Sequence, residues 1–146
     1  MKKVFIVFVA ALIFTACKTS DKKSEPLLSK EAIEKAKNDS ANFTSVKWLD
    51  STYVNLGKLK EGKEVEVTYR FKNIGDKNLI ISDVTAGCGC TIPEKPQQPF
   101  APGEEGVIRA KFNGSGHGEI RKEVYVSANT NPSNSHTLVF VGEIIK

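Results

Sequence analysis

Apolar and polar residues alternate strictly along residues 65–72, where Val, Val, Tyr and Phe are interleaved with Glu, Thr, Arg and Lys. A period of two predicts a β-strand with one buried face and one solvated face. Residues 108–112 and 120–128 repeat the alternation, and residues 79–81 and 138–145 are more uniformly apolar. No helical period interrupts this part of the chain, so residues 43–146 are expected to form an all-β domain.

About seven strands are expected, the first containing Val46 and Trp48 and the last ending near Ile145. Short strands separated by regular turn signals are typical of a two-sheet antiparallel β-sandwich, with an open barrel as the alternative. No cysteine pair is placed to join the two sheets, so packing must hold the core together. Five large aromatic side chains are expected to dominate it: Trp48, Tyr69, Phe71, Phe112 and Phe140.

Three connections carry specific expectations. Glu61-Gly62 is predicted to close a hairpin, and so is the glycine-rich run at residues 114–118, which a strand follows. Phosphate-binding glycine loops lead into a helix instead, so the run is not interpreted as one. The proline-rich residues 93–102 are stiff and extended, which favours a crossing between the two sheets over a partner-binding loop.

The N-terminus resembles a bacterial lipoprotein signal. Lys2 and Lys3 precede an apolar run of eleven residues, 4–14, which fits a secretory signal and falls short of the about 20 residues of a membrane span. The sequence Phe14-Thr15-Ala16-Cys17 is similar to a lipobox. The resemblance implies a signal peptide at residues 1–16 and acylation of Cys17, with palmitate among the attached chains. An ordinary secretory signal cut near Ala16, or an uncleaved anchor, is the alternative.

Residues 17–42 are expected to form a lipidated tether. Residues 18–24 are polar, whereas residues 27–38 could form a short helix with a narrow apolar side. This helix would either belong to the spacer or dock on the domain. Ser40 and Ser51 lie in Asp-Ser-small tripeptides that resemble bacterial O-glycosylation sites, although Asp-Ser also suits turns.

The net charge of the chain argues against nucleic acid as a partner. The formal net charge is +4, from 21 basic and 17 acidic residues, and removal of Lys2 and Lys3 with the signal lowers it to +2. The charges alternate along the predicted strands as on a solvated surface. This balance is too weak to indicate nucleic-acid binding.

Two motifs in order, Phe71-Lys72-Asn73-Ile74-Gly75 and Cys88-Gly89-Cys90-Thr91, resemble the family catalogued as domain of unknown function 1573. The resemblance covers about residues 45–145 and extends to the immunoglobulin-like domains of the abnormal-spindle and Hydin type. It implies an immunoglobulin-like β-sandwich, common in secreted and lipid-anchored bacterial proteins. It implies no activity.

Cys88 and Cys90 are the residues with the most versatile chemistry. On a regular strand their Cα atoms would lie about 6.6 Å apart, near the disulfide limit of about 6.8 Å, and the adjacent glycines permit a tighter backbone. A structural pair, a redox disulfide and a soft-metal site for Cu(I) or zinc all fit, the last with His117 or His136 as further ligands. Since no base or cation is placed to lower a thiol pKa, no catalytic residue and no cofactor are predicted.

Two functional hypotheses follow. The first is a lipid-anchored, monomeric cell-envelope protein, facing the periplasm, whose non-catalytic domain binds or scaffolds another envelope protein. The second is an envelope thiol-redox or soft-metal protein that works through Cys88 and Cys90.

Overall fold

The computed structural model describes residues 42–146, so the expectations for Cys17, Ser40 and the helix at residues 27–38 fall outside the described residues. Within that part of the chain, no helix is long and apolar enough to cross a membrane. Eight strands form the domain: β1 (Val46–Trp48), β2 (Tyr53–Lys60), β3 (Val65–Asn73), β4 (Ile81–Ala86), β5 (Thr91–Glu94), β6 (Glu105–Phe112), β7 (Gly118–Ala128) and β8 (Ser135–Ile145).

The strands form two four-stranded sheets, and the prediction of an all-β sandwich is confirmed. The first sheet has the order β1-β3-β6-β5 and the second the order β2-β8-β7-β4. Neighbouring strands are antiparallel except for β2 and β8, which run parallel. The sequence predicted about seven strands, and the additional one is β5. It was not predicted because it contains Pro93, and proline is uncommon within strands. Proline is tolerated there because β5 lies at a sheet edge.

The core lies between the sheets and contains the expected aromatic residues. Tyr69, Phe71, Phe112 and Phe140 are completely buried. Trp48 is partly buried and meets Phe71 edge to face, with ring centroids 5.7 Å apart. The alternation along β3 therefore places its apolar side chains inward, as the period of two predicts.

The three expectations for the connections are wrong. Glu61-Gly62 and residues 114–118 do not close hairpins, because β2 and β3 lie in different sheets, as do β6 and β7. These turns carry the chain from one sheet to the other. Conversely, the proline-rich segment joins β5 and β6 within the first sheet. Turn residues specify that the backbone reverses, and the choice of sheet depends on pairing between distant strands.

Asn73 organises the end of the sandwich at which the described chain begins. Its Oδ1 accepts hydrogen bonds from Thr44 Oγ1 (2.9 Å) and the Gly75 amide (3.1 Å), and its Nδ2 donates to the Lys77 (2.7 Å) and Phe100 (2.9 Å) carbonyls. The Asn73 side chain is fully buried, and these bonds satisfy its amide. A glycine is required two residues later, because a Cβ on Gly75 would overlap Thr44.

Asn129 plays a matching role in the second sheet. Its Nδ2 donates to the carbonyls of Asn42 (2.7 Å) and Asn78 (2.9 Å), and its Oδ1 accepts from the Ile80 amide at 2.6 Å. Asn129 thus ties the first described residue to the connection between β3 and β4. We call this the entry end of the sandwich.

Tyr69 introduces a polar atom into the core. Among residues 42–146, its Oη is the one buried side-chain oxygen or nitrogen with no hydrogen-bond partner. Burial raises the pKa of Tyr69 to about 12. An unsatisfied buried hydroxyl costs about 1–3 kcal/mol of stability.

Tyr69→Phe is therefore expected to raise the melting temperature by about 4–8 °C, which corresponds to about 1 kcal/mol. Above pH 10 the unfolded tyrosine releases its proton while the folded one retains it, so the native protein loses stability between about pH 10 and 12. The variant should lose less over that interval. Thermal melts at neutral and alkaline pH check both effects, with Tyr53→Phe on the surface as the control. A lower melting temperature would mean that the hydroxyl is satisfied.

Candidate functional site

Residues 87–90, which we call the cysteine corner, carry the chain from β4 in the second sheet to β5 in the first. Cys88 and Cys90 form a disulfide whose Cα atoms are 5.3 Å apart. This separation is shorter than that of a regular strand because the backbone bends and turns at residues 87–90. A Cβ on Gly89 would meet no atom within 4 Å, so the turn does not require glycine at that position. The hydroxyl of buried Thr91 lies 3.7 Å from Cys88 Sγ and 4.0 Å from Cys90 Sγ.

Backbone hydrogen bonds hold the corner in place. The Gly87 amide donates to the Glu123 carbonyl of β7 at 3.1 Å, and the Asn113 amide donates to the Cys90 carbonyl at 3.0 Å. The corner is therefore attached to the second sheet on one side and to the end of β6 on the other. These contacts indicate that the cysteine corner has a structural role as a connection between the two sheets.

The histidines do not assemble a metal site with the cysteines. His136 packs against Trp48 with ring centroids 5.8 Å apart, its Nε2 lies 2.8 Å from Thr130 Oγ1, and burial lowers its pKa. His117 is exposed on the connection before β7. In the span from residue 42 to 146, no three His, Cys, Asp or Glu side chains are grouped as a metal ion would require.

We expect the double variant Cys88→Ser with Cys90→Ser to fold and to lose less than about 2 kcal/mol of stability. So small a ring restricts the unfolded chain little, and longer loops contribute about 2–4 kcal/mol. Denaturant melts of the native and double-variant proteins measure the difference. Elemental analysis of the native protein should find less than about a tenth of an equivalent of copper or zinc, because a specific site fills nearly stoichiometrically. Stoichiometric Cu(I) that the double variant loses would contradict the structural role.

The outward faces of the two sheets differ in how their charges are paired. On the first sheet, ion pairs of 3.3–3.5 Å link Lys72 to Glu105, Arg109 to Glu66, and Lys111 to Glu94, and Asp50 pairs with Arg70 at 2.7 Å. The Arg70 guanidinium lowers the pKa of Asp50. Most charged side chains of this face are thus paired with one another, as is common on a solvated surface.

The outward face of the second sheet carries two exposed tyrosines, and we call it the tyrosine face. Tyr125 Oη donates to Glu123 Oε2 at 2.7 Å, and Arg121 Nη2 donates to Glu123 Oε1 at 3.0 Å. These bonds, Tyr125 first, lower the pKa of Glu123, and the carboxylate raises the pKa of Tyr125. The Arg121 guanidinium carbon lies 6.0 Å from the centroid of the Tyr53 ring. Both rings are thus held next to the same charged cluster.

A groove of about 580 Å³ opens on this face beside Tyr53. Its lining comes from β2, β7 and β8, including Asn55, Lys58, Glu119, Arg121 and Val141. The sequence indicates Arg121 and Tyr125 as solvated strand positions, but it does not reveal the groove. The groove depends on the parallel register of β2 on β8, which pairs Tyr53 with Val139 and Asn55 with Val141.

Ser51, considered for glycosylation, is part of a turn before β2. Its hydroxyl donates to the Tyr53 carbonyl at 2.7 Å and accepts from the Tyr53 amide at 3.1 Å. The Asp-Ser tripeptide therefore has a local role that positions Tyr53.

Comparison with known families agrees with this architecture. Residues 46–144 match the family model described as a protein of unknown function (DUF1573), and the chain belongs to that family. No curated protein matches the sequence.

Solved structures resemble the domain at low sequence identity. A protein of unknown function from Porphyromonas gingivalis W83 superposes with a TM-score of 0.62 at 17% identity, covering 72% of this chain and 49% of that one. The ASH/PapD-like domain 7 of human CEP192 gives 0.57 at 12% identity, covering 72% and 88%. The YadV chaperone gives 0.51 at 13% identity, covering 70% and 53%. These likenesses concern the fold, which is an immunoglobulin-like β-sandwich.

Proposed function

We propose that this protein is a lipid-anchored component of the cell envelope whose immunoglobulin-like domain is a non-catalytic binding or scaffolding module. The tyrosine face is its docking surface. Cys17 carries the lipid, residues 18–42 are the spacer, and the domain faces the periplasm as a monomer. Its partner is a protein or polymer of the envelope.

The contrast between the two outward faces carries the proposal. Three cross-strand ion pairs link charged side chains of the first sheet, whose strands expose one large apolar side chain, Ile92. The second sheet instead presents two aromatic rings, Tyr53 at 52% and Tyr125 at 39% exposure. Tyrosine is suited to recognition because it offers a large rigid ring and a polar tip at a low cost in conformational entropy. The hydrogen bond to Glu123 fixes the Tyr125 ring before any partner binds.

The position of the entry end, where the tether joins the domain, supports the tyrosine face as the docking surface. Asn73 and Val65 are the two ends of β3, about 26 Å apart at about 3.3 Å per residue. The chain enters beside Asn73, and the cysteine corner lies beyond Phe112, which pairs with Val65. A tether attached at the entry end therefore leaves the corner farthest from the membrane and the tyrosine face along the side.

A non-catalytic role is consistent with the groups present. The cysteine corner holds its sulfurs in a disulfide next to the Thr91 hydroxyl. The structures that superpose on this domain include a chaperone and a PapD-like domain, and the likeness concerns their fold. A sandwich of this kind presents faces, edges and loops for binding.

Hydroxyl-radical footprinting of native envelopes tests the docking role. Tyr53 and Tyr125 should be oxidised several-fold less in intact envelopes than after extraction into detergent, because a partner covers them. The internal controls are Ile92 and Ile74, which lie away from that face and are 67% and 56% exposed. Their oxidation should be nearly the same in intact envelopes and in the detergent extract. Equal oxidation of both tyrosines in the two states would contradict the proposal.

A further inference from the structure

The groove on the tyrosine face has an aliphatic floor and polar walls. Val141 of β8 lies between Asn55 of β2 and Arg121 of β7 in the strand register. In the next row outward, Glu143 lies between Lys58 and Glu119. A ligand in the groove would therefore contact an apolar strip below it and hydrogen-bonding groups on both sides.

The backbone builds this groove, so it exists without a ligand. The pairing of β2 with β8 shifts register between Asn55 and Lys58, where Gly57 adopts a positive φ of 67°. Asn55 Oδ1 accepts the Gly57 amide at 2.8 Å and stabilises the bulge. Gly142 permits close passage of β2, because a Cβ there would lie 3.0 Å from the Gly57 carbonyl oxygen. Preformed concave sites of about 300–1,000 Å³ are typical of ligand binding.

The groove lining carries charges of both signs. Lys58 and Arg121 lie in the lining with Glu119 and Glu143, and Arg121 is also paired with Glu123 outside it. The groove therefore offers both hydrogen-bond donors and acceptors, with only a small excess of negative charge to favour a charged ligand. Glu119 and Glu143 are directly opposite each other on β7 and β8, and neither belongs to an ion pair within the described part of the chain. Like charges so placed are destabilising. Hydroxyl groups of a ligand would supply these carboxylates with hydrogen-bond donors.

We propose that this groove binds an uncharged oligosaccharide. The C–H faces of the sugar rings would pack on the exposed Tyr53 ring and on Val141, and their hydroxyls would bond to Asn55, Arg121 and the two carboxylates. The groove is open at the surface, as a chain of several sugars requires. This inference rests on the proposed binding role and specifies the ligand class for the same face.

Saturation-transfer NMR on the full-length protein in a non-glycosidic detergent tests the proposal. The probes are cellotetraose, chitotetraose, maltotetraose and xylotetraose, with tetralysine and tetraglutamate as charged counterparts. At least one tetrasaccharide should bind with a Kd of about 1 mM or tighter. Its affinity should change by less than about twofold between low and high salt, because screening does not affect an uncharged ligand.

Surface variants assign that binding to the groove. Tyr53→Ala should weaken it about tenfold through loss of the ring, whereas Tyr53→Phe should retain most of it. Thr68→Ala, on the outward face of the first sheet, is the matched control and should leave the Kd unchanged. Circular dichroism of each variant verifies its fold.

Three results would overturn the proposal: no saturable transfer to any tetrasaccharide, equal transfer in Tyr53→Ala, or preference for a charged peptide. None of these would remove the protection of Tyr53 and Tyr125 in native envelopes. Failure of the oligosaccharide assignment is therefore distinguishable from failure of the docking role.

Discussion

Asn73→Ala is expected to lower the melting temperature of the domain by about 12–24 °C, or about 3 kcal/mol. The substitution removes four hydrogen bonds at once and leaves the Thr44 hydroxyl and the Gly75 amide without their acceptor. Because these groups are buried or partly buried, water cannot replace the asparagine without disrupting the entry end. Differential scanning calorimetry of the native and variant proteins measures the change.

Asn78→Ala provides the matched control. Asn78 lies in the connection that follows Asn73 and undergoes the same chemical change, but its side chain is exposed. Surface substitutions of this kind usually change stability by less than about 0.5 kcal/mol. Similar melting temperatures for the two variants would show that Asn73 does not organise this end of the sandwich.

Cys17→Ala is expected to abolish labelling by an alkynyl palmitate analogue and to leave an unprocessed precursor. The thiol is the predicted attachment point, and each buried methylene of an acyl chain contributes about 0.8 kcal/mol to membrane binding. In-gel fluorescence after metabolic labelling and intact mass measure the two effects. The double variant Cys88→Ser with Cys90→Ser retains Cys17 and should be labelled normally. A Cys17→Ala protein that is still labelled and still processed would contradict the anchor.

The strands and core were predictable because their determinants are local. Alternation along residues 65–72 predicts the inward positions of Tyr69 and Phe71, and both are completely buried in β3. The role of the Phe71–Gly75 motif could not be predicted from the sequence. The sequence shows that Asn73 and Gly75 are spaced two apart, but Thr44 and Phe100, which explain that spacing, come from distant parts of the chain.

The connections were mispredicted for a physical reason. Gly114 has a φ of 73° and indicates a reversal, but a Cβ there would also overlap the Lys63 carbonyl oxygen of another connection between the sheets. Glycine at position 114 thus permits both the turn and the close approach of the β2–β3 and β6–β7 connections. The closeness of Cys88 and Cys90 was predictable from their spacing of two residues, whereas the tyrosine face depends on the pairing of β2 with β8, more than 80 residues apart.

Site-specific photo-crosslinking in living cells tests the central claim most directly. Benzoylphenylalanine replaces Tyr125 on the tyrosine face or, in a matched strain, Thr68 on the first sheet, and the yield of covalent adduct per molecule is compared. The tyrosine face should give a discrete adduct at several times the yield from Thr68, and Cys17→Ala should reduce that yield because the unprocessed precursor lacks the lipid anchor. Equal yields from the two faces would contradict the assignment of the tyrosine face as the docking surface.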